Sequence, residues 1–200
     1  IYLSLKTFIT FSKSNYNLSM IIKWAGSKKW LFRKNPHLFT SKYNTYFEPF
    51  LGGAAVFFDL RPGKSYLSDI NGKLINFYKE LKKNPEELFN NVKTLIDSHS
   101  DEQYYKKRDE FNNTGSPELF LYLNRTCYNG IYRENKSGDF NVPVGRRASS
   151  HLPFTKEDFM YCSETLDSAS LKQQGFIETL SHVKENDFIY VDPPYIKFED

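Results

Sequence analysis

A chain of 200 residues with a formal charge of +3 suits one domain, or one domain carrying a modest insertion. The mild positive charge permits a nucleic-acid partner without demanding one, because basic residues gathered on one face matter more than the sum. Cys127 and Cys162 form no CxxC or Cys/His ligand set, which argues against a zinc site and for reduced thiols in a cytoplasmic protein; no apolar run approaches the roughly 20 residues of a membrane span.

Residues 1–19 are expected to be an extension ahead of the fold. Met20 stands immediately before the first motif, and Lys6 inside the apolar stretch makes a poor signal peptide. Ile21 to Gly26 reads as a short extended entry, followed by a helix from about Lys28 to Phe39. Thr45 to Glu48 reads as a strand closed by Pro49, Gly52-Gly53 as a turn, and Ala54 to Leu60 as a helix stopped by Arg61-Pro62-Gly63. Lys64 to Ser68 reads as a second strand, ending at Asp69. This strand–turn–helix–strand unit opens an α/β fold with a parallel sheet.

The middle of the chain reads as helical. Asn84-Pro85-Glu86-Glu87 supplies an N-cap, a proline at the first helical position and acids in the first turn; Leu88, Phe89, Val92, Leu95 and Ile96 follow at helical spacing. Ser116-Pro117-Glu118 repeats the signal ahead of Leu119 to Leu123. Residues 125–150 are polar, glycine-rich and basic, and read as a long functional loop. Thr155 to Asp158 opens another helix, a short strand is expected around Leu171 and a helix over Phe176 to Val183. Phe188 to Val191 reads as a buried strand closed by Asp192-Pro193-Pro194-Tyr195. The α/β pattern thus occupies 20–75 and 156–200, with a helical insertion at 76–155.

Four segments carry chemistry. Two prolines after a strand cannot continue the ladder and hold the chain rigid at the strand's carboxyl end, where open α/β sheets bind ligands. An acid before them can accept an amine hydrogen and an aromatic after them can stack on a base; a plain strand-ending turn is the alternative. Phe47-Glu48-Pro49-Phe50-Leu51-Gly52-Gly53 puts small residues before a helix N-terminus, where backbone can approach a ligand. Asp69 follows the next strand at about the offset where nucleotide-binding folds place a ribose-binding carboxylate, although with Asn71 and Gly72 it also reads as a turn and helix cap. Lys23-Trp24-Ala25-Gly26-Ser27-Lys28 flanks a bend with an indole and lysines. Residues 123–147 mix Arg, Asn and aromatics, types that read bases or wedge into a stack, though a solvated loop is the simpler account of that composition.

In order and wording together, these segments resemble the Dam-like (D12) class of DNA adenine-N6 methyltransferases from about Ile21 onward. The carriers are Lys23–Lys28, Phe47–Gly53, Ser68-Asp69-Ile70-Asn71, Leu123–Gly145 and Asp192–Tyr195. The resemblance implies a doubly wound, Rossmann-like methyltransferase sheet with an inserted helical DNA-recognition module. It also implies S-adenosylmethionine as cofactor and double-stranded DNA as partner. Trp24, Lys28, Glu48, Phe50, Gly52, Asp69 and Asp192 would line the cofactor pocket, and Asp192, Pro193, Pro194 and Tyr195 would form the catalytic loop around a flipped adenine. Lys23, Arg125, Tyr128, Asn129, Ile131, Arg133 and Arg146 would meet DNA, with GATC as the suggested site and a restriction endonuclease of the same system as an associated activity. Ser27 departs from the glycine common in the family. The chain ends five residues after Tyr195, where the family continues, so an incomplete carboxyl-terminal part is expected. Two other readings remain: an amine methyltransferase acting on cytosine N4 or RNA, and a DNA-binding fragment without catalysis.

Overall fold

The computed structural model describes residues 21–26, 28, 34–35, 42–146 and 152–194. The extension at 1–19, most of the expected helix from Lys28 to Phe39, Ser27 and Tyr195 lie outside them. A four-stranded, all-parallel sheet is built from β1 (Tyr46–Glu48), β2 (Ser65–Asp69), β3 (Ala169–Gln173) and β4 (Phe188–Ile189), in the spatial order β3-β2-β1-β4. The central strands carry the burial expected of parallel sheets covered on both faces: Tyr46, Phe47 and Glu48 are all buried, as are Leu67 and Ser68.

Residues two apart on a strand share a face, and this sorts the two helical layers. Tyr66 and Ser68 face α7 (Phe176–Leu180), where the Ser68 and Thr179 hydroxyls lie 2.7 Å apart and Tyr66 stacks on His182. Tyr46 and Glu48 face the other layer, with Phe57 of α1 (Ala55–Leu60) against the Tyr46 ring. On that side α2 (Gly72–Lys83) packs on β2 and β3, and its outer face meets α5 (Pro117–Thr126) and α6 (Lys156–Leu166). Asn71 caps α2, its Oδ1 accepting from Leu74 N at 3.0 Å. The turn-and-cap reading of Asp69-Asn71-Gly72 therefore holds, and it leaves Asp69 at the strand end.

The expected boundary at residue 76 falls inside α2, a helix that serves both the sheet and the helical stretch. One apolar core runs through both, for example where Phe77 of α2 stacks on Phe120 of α5 at 5.6 Å. Two further helices, α3 (Pro85–Asp97) and α4 (Asp101–Thr114), complete the stretch. Asn84 starts α3 as expected in position, but not as a side-chain cap: its Nδ2 donates to Glu80 Oε1 of the preceding helix at 2.7 Å. Thr155 and Asp158 form a reciprocal capping box at the start of α6.

Of the segment expected as a long loop, residues 147–150 lie outside the described residues, and 125–146 are more ordered than their composition implied. Arg125 and Thr126 complete α5, Tyr128–Gly130 is a 3-10 turn, and antiparallel bridges pair Cys127 with Val144 and Glu134 with Phe140. Asn135 closes the tip, its Oδ1 accepting from Ser137 N and Asp139 N. Asn and Gly in this stretch serve a hairpin-like turn rather than solvated slack. The terminal strand also differs from expectation. β4 covers Phe188 and Ile189 alone, both half-buried, and Val191 is 43% exposed. Among the described residues β4 pairs only with β1, so it is an edge strand and lacks the two-sided burial read from its apolar run. No described helix is long and apolar enough to cross a membrane.

Candidate active site

The chain runs outward from β1 to β2 to β3, then crosses back to place β4 on the other side of β1. The order therefore reverses between β1 and β4, and such a switch point leaves a crevice at the carboxyl ends of the strands. A cavity of about 500 Å³ lies there. Among its lining residues are Trp24, Gly26, Lys28, Glu48, Phe50, Gly52, Asp69, Ile70, Tyr190, Asp192, Pro193 and Pro194. Segments far apart in sequence thus meet: the Lys23–Lys28 bend, the end of β1, the end of β2 and the residues after β4. A second cleft, of about 560 Å³, lies between α3 and the segment ahead of α6, lined by no residue of the sheet; its one carboxylate among the described residues, Asp97, pairs with Lys93.

Among the described residues, three carboxyl groups and one ammonium face the strand-end cavity. Glu48 is 3% exposed; burial, with the Asp192 charge adding to it, pushes its carboxyl up to about 8, against the hydrogen bond from Tyr46 Oη at 2.8 Å. Asp69 accepts from Gly52 N at 3.0 Å and from Asn71 N at 2.9 Å, and burial holds its carboxyl above the ordinary range although those bonds oppose it. Lys28 Nζ lies 3.2 Å from Asp192 Oδ2 and donates to Gly26 O at 2.8 Å. Among the described residues Lys28 pairs with Asp192, so Asp69 and Glu48 are the acids left to meet a positive group, which a partly closed crevice favours because burial makes an uncompensated carboxylate costly.

Gly52 shows why the turn after β1 uses glycine. Its φ is +45°, and a Cβ there would stand 2.7 Å from Trp24 Cδ1 and Nε1. The close approach lets the indole close one side of the cavity. Gly52→Ala is expected to displace Trp24 and weaken ligand binding in this cavity by about tenfold or more, with thermal stability lowered by about 1 kcal/mol or more. Titration of a cavity ligand alongside a melting curve checks both.

The structure also gathers the residues expected on the DNA side. Tyr128, Asn129, Ile131 and Arg133 are exposed on one turn, Lys23 packs against Gly130 of that turn, and Arg146 is exposed beside its base, where Gly145 N donates to Thr126 O at 2.8 Å. Arg125 is placed differently. Its Nε donates to Ile21 O at 2.7 Å, its guanidinium lies 5.0 Å from the centre of the Phe154 ring, and burial pushes it down to about 10. An arginine so engaged braces the entry segment, and its surroundings are not those of a phosphate contact.

Two residues of the Leu123–Gly145 segment that the sequence did not single out join the two sides. Tyr132 stacks on Trp24 at 5.7 Å and its hydroxyl donates to Glu134 Oε1 at 2.6 Å. Asn124, 1% exposed, bonds both backbone groups of Lys23. The signal for Asn124 was a polar residue on the apolar face of α5, four residues after Phe120. Lys73 of α2 further ties the hairpin down through Glu134 Oε1 and Gly138 O, each at 2.9 Å.

Comparison with known proteins places this arrangement. Residues 24–200 match the family model of the D12 class N6 adenine-specific DNA methyltransferase. The chain is 35% identical over 198 residues to the Type II methyltransferase M1.LlaDCHI of Lactococcus lactis subsp. cremoris, an overlap of 94% of this chain and 69% of that protein. It is 34% identical over 181 residues to a DNA adenine methylase of Serratia marcescens, covering 87% of this chain and 66% of that protein. It is also 34% identical to the Type II methyltransferase M.MjaIII of Methanocaldococcus jannaschii, covering 87% of this chain and 68% of that protein. The chain thus spans about two thirds of the length of the curated relatives it matches. With the family model matched over residues 24–200, the chain belongs to the D12 class of N6 adenine-specific DNA methyltransferases.

Proposed function

We propose that this protein transfers a methyl group from S-adenosylmethionine to N6 of adenine in double-stranded DNA. The observation that carries the reading is the cavity at the β1/β4 switch point, whose walls carry, among the described residues, three carboxyl groups and one lysine. S-adenosylmethionine carries two positive groups, its ammonium and sulfonium, and one carboxylate, and it supplies an electrophilic methyl when bound. The walls complement that pattern. Asp69, already steadied by Gly52 N and Asn71 N, keeps lone pairs for ribose hydroxyls. Lys28 offers a counter-charge to the ligand carboxylate, Asp192 offers an anion to its cationic end, and Glu48, whose carboxyl is pushed up to about 8, offers an acceptor oxygen that gains charge as pH rises. Trp24 and Phe50 supply apolar walls.

On the DNA side, Asp192-Pro193-Pro194 stands at the cavity rim, exposed enough to receive a base from outside. The Asp192 carboxylate accepts one hydrogen of the adenine amine and a carbonyl of the proline pair accepts the other. Both favour a nitrogen whose lone pair is less delocalised into the ring. Tyr195 stacks on the flipped base. Extrusion costs a few kcal/mol, offset by these contacts. Lys23, Tyr128, Asn129, Ile131, Arg133 and Arg146 form the DNA face, within a recognition module that we place at 84–155, after α2. GATC is the proposed site. The names of the relatives support either a solitary DNA adenine methylase or the methyltransferase of a type II system working beside an endonuclease.

Labelled S-adenosylmethionine is supplied with duplexes that contain or lack GATC, and the product nucleoside is identified by mass spectrometry. Label in N6-methyladenine from the GATC duplex alone is the expected result. Label in both duplexes overturns the site, N4-methylcytosine overturns the base, and retained DNA affinity with no transfer and no cofactor binding favours a non-catalytic DNA-binding fragment.

A further inference from the structure

The cofactor cavity and the exposed 128–133 turn meet at two consecutive residues, Lys23 and Trp24. The Asn124 carboxamide holds the first of them as a neighbouring strand would: its Oδ1 accepts from Lys23 N at 2.8 Å, and its Nδ2 donates to Lys23 O at 2.8 Å. The same Nδ2 reaches Gly130 O at 3.4 Å, so one buried side chain fastens both the entry segment and the turn. Gly130 has φ +65° and sits so close to the Lys23 side chain that a Cβ would lie 2.4 Å from Lys23 Cδ. Trp24, next in the chain, presses on Gly52 from the cavity side and stacks on Tyr132 from the turn side. A displacement of Lys23 therefore moves Trp24, and a displacement of either is felt in the other site.

The geometry points to Asn124 as a positioning residue that sets the Lys23–Trp24 segment and couples occupancy of the cofactor cavity to engagement of DNA by the 128–133 turn. This rests on the function proposed above. Asn124 touches neither ligand; it acts through the backbone of Lys23. The coupling is reciprocal: whatever factor a duplex adds to cofactor affinity, the cofactor adds to duplex affinity.

The test is calorimetric titration of the full chain with S-adenosylhomocysteine, alone and with a short GATC duplex present, and the converse titration with duplex. The unaltered protein is expected to bind each ligand more tightly, by about fivefold or more, when the other is present. In Asn124→Ala that factor falls to near one in both directions, whereas a residue with a purely structural role would weaken both ligands and leave the factor unchanged. Tyr132→Leu keeps the Asn124 clip and breaks the Trp24 stack, and is expected to lose the same factor, which covers the case of an Asn124 variant that does not fold. A coupling factor retained in Asn124→Ala, or in Tyr132→Leu where the first variant does not fold, overturns the inference while the proposed function stands. An unaltered protein that binds both ligands without coupling also overturns it alone; one that binds no S-adenosylhomocysteine overturns the proposed function and the inference with it.

Discussion

Asp192→Ala is expected to lower methyl transfer by about 10²–10³-fold or more, the range found when one preorganised polar group is removed from a reacting centre. Affinity for the duplex should stay within about threefold, because the DNA face is built from other segments, around Lys23 and the 128–133 turn. The carboxylate stands at the cavity rim after β4, where it meets Lys28 Nζ at 3.2 Å. In the proposed reaction it accepts a hydrogen of the attacking amine, so its loss acts on turnover more than on capture of DNA. Asp192→Asn separates charge from shape: it keeps an acceptor oxygen but gives up the anion that pairs with Lys28. Single-turnover transfer measured beside duplex binding checks the split. Unchanged transfer in Asp192→Ala would remove Asp192 from the mechanism.

The second large effect concerns pH and stability. The Glu48 carboxyl is raised from about 4.5 to about 8 in the folded chain, chiefly by burial. Between those values the native state binds more protons than the unfolded state, so the slope of unfolding free energy with pH is negative and stability falls as pH rises from about 4.5 to 8. Asp69 is raised as well and contributes in the same direction. Glu48→Gln keeps the hydrogen bond from Tyr46 Oη within reach of an acceptor and removes the titrating group. The variant is expected to be more stable than the unaltered protein at pH 8, on the order of 3–5 kcal/mol, with the gap closing toward pH 5. Denaturant unfolding at several pH values measures it; equal slopes for the two proteins sink the assignment of the slope to Glu48. The same variant should bind S-adenosylmethionine more weakly as pH rises through about 8, where the native carboxyl ionises to meet a cation, so gain in stability and loss in binding are expected together.

How legible this was in the sequence depended on the range of the interaction involved. Local signals read well. Pro49, Gly52-Gly53 and Arg61-Pro62-Gly63 mark the ends of β1 and α1, and Thr155 with Asp158 marks the start of α6. The segments that line the cavity were legible as motifs because each needs unusual residues at one place, such as a glycine under an indole or prolines after a strand. Signals that depend on a distant partner read poorly. Phe188 to Val191 has the composition of a buried strand, yet burial is set by what lies on either side, and among the described residues only β1 does. Asn84 has the sequence of a cap, but Glu80 competes for its side chain. Arg125 has the chemistry of a phosphate ligand, but Ile21 O and Phe154 lie nearer. Asn124 stood out only as a polar residue on an apolar helix face; what it holds was not legible, because its partner is a backbone 101 positions earlier in the chain.

The register of β4 on β1 sets an order of events for the folding chain. Tyr46 pairs with Phe188 and Phe47 with Ile189, so the two walls of the cavity that carry Glu48 and Asp192 come together only when nearly the whole intervening chain has found its place. Pairings of such sequence separation are slow to form, since the loop must close before any contact rewards it. β2 and α2, by contrast, are neighbours in sequence and can form early. Among the described residues β4 is two residues long and pairs with β1 alone, so few backbone bonds hold the Asp192 side of the cavity to the Glu48 side. A ligand that bridges β1 and the Asp192 turn would act as a clasp on that strand, favouring the closed form over the frayed one by mass action.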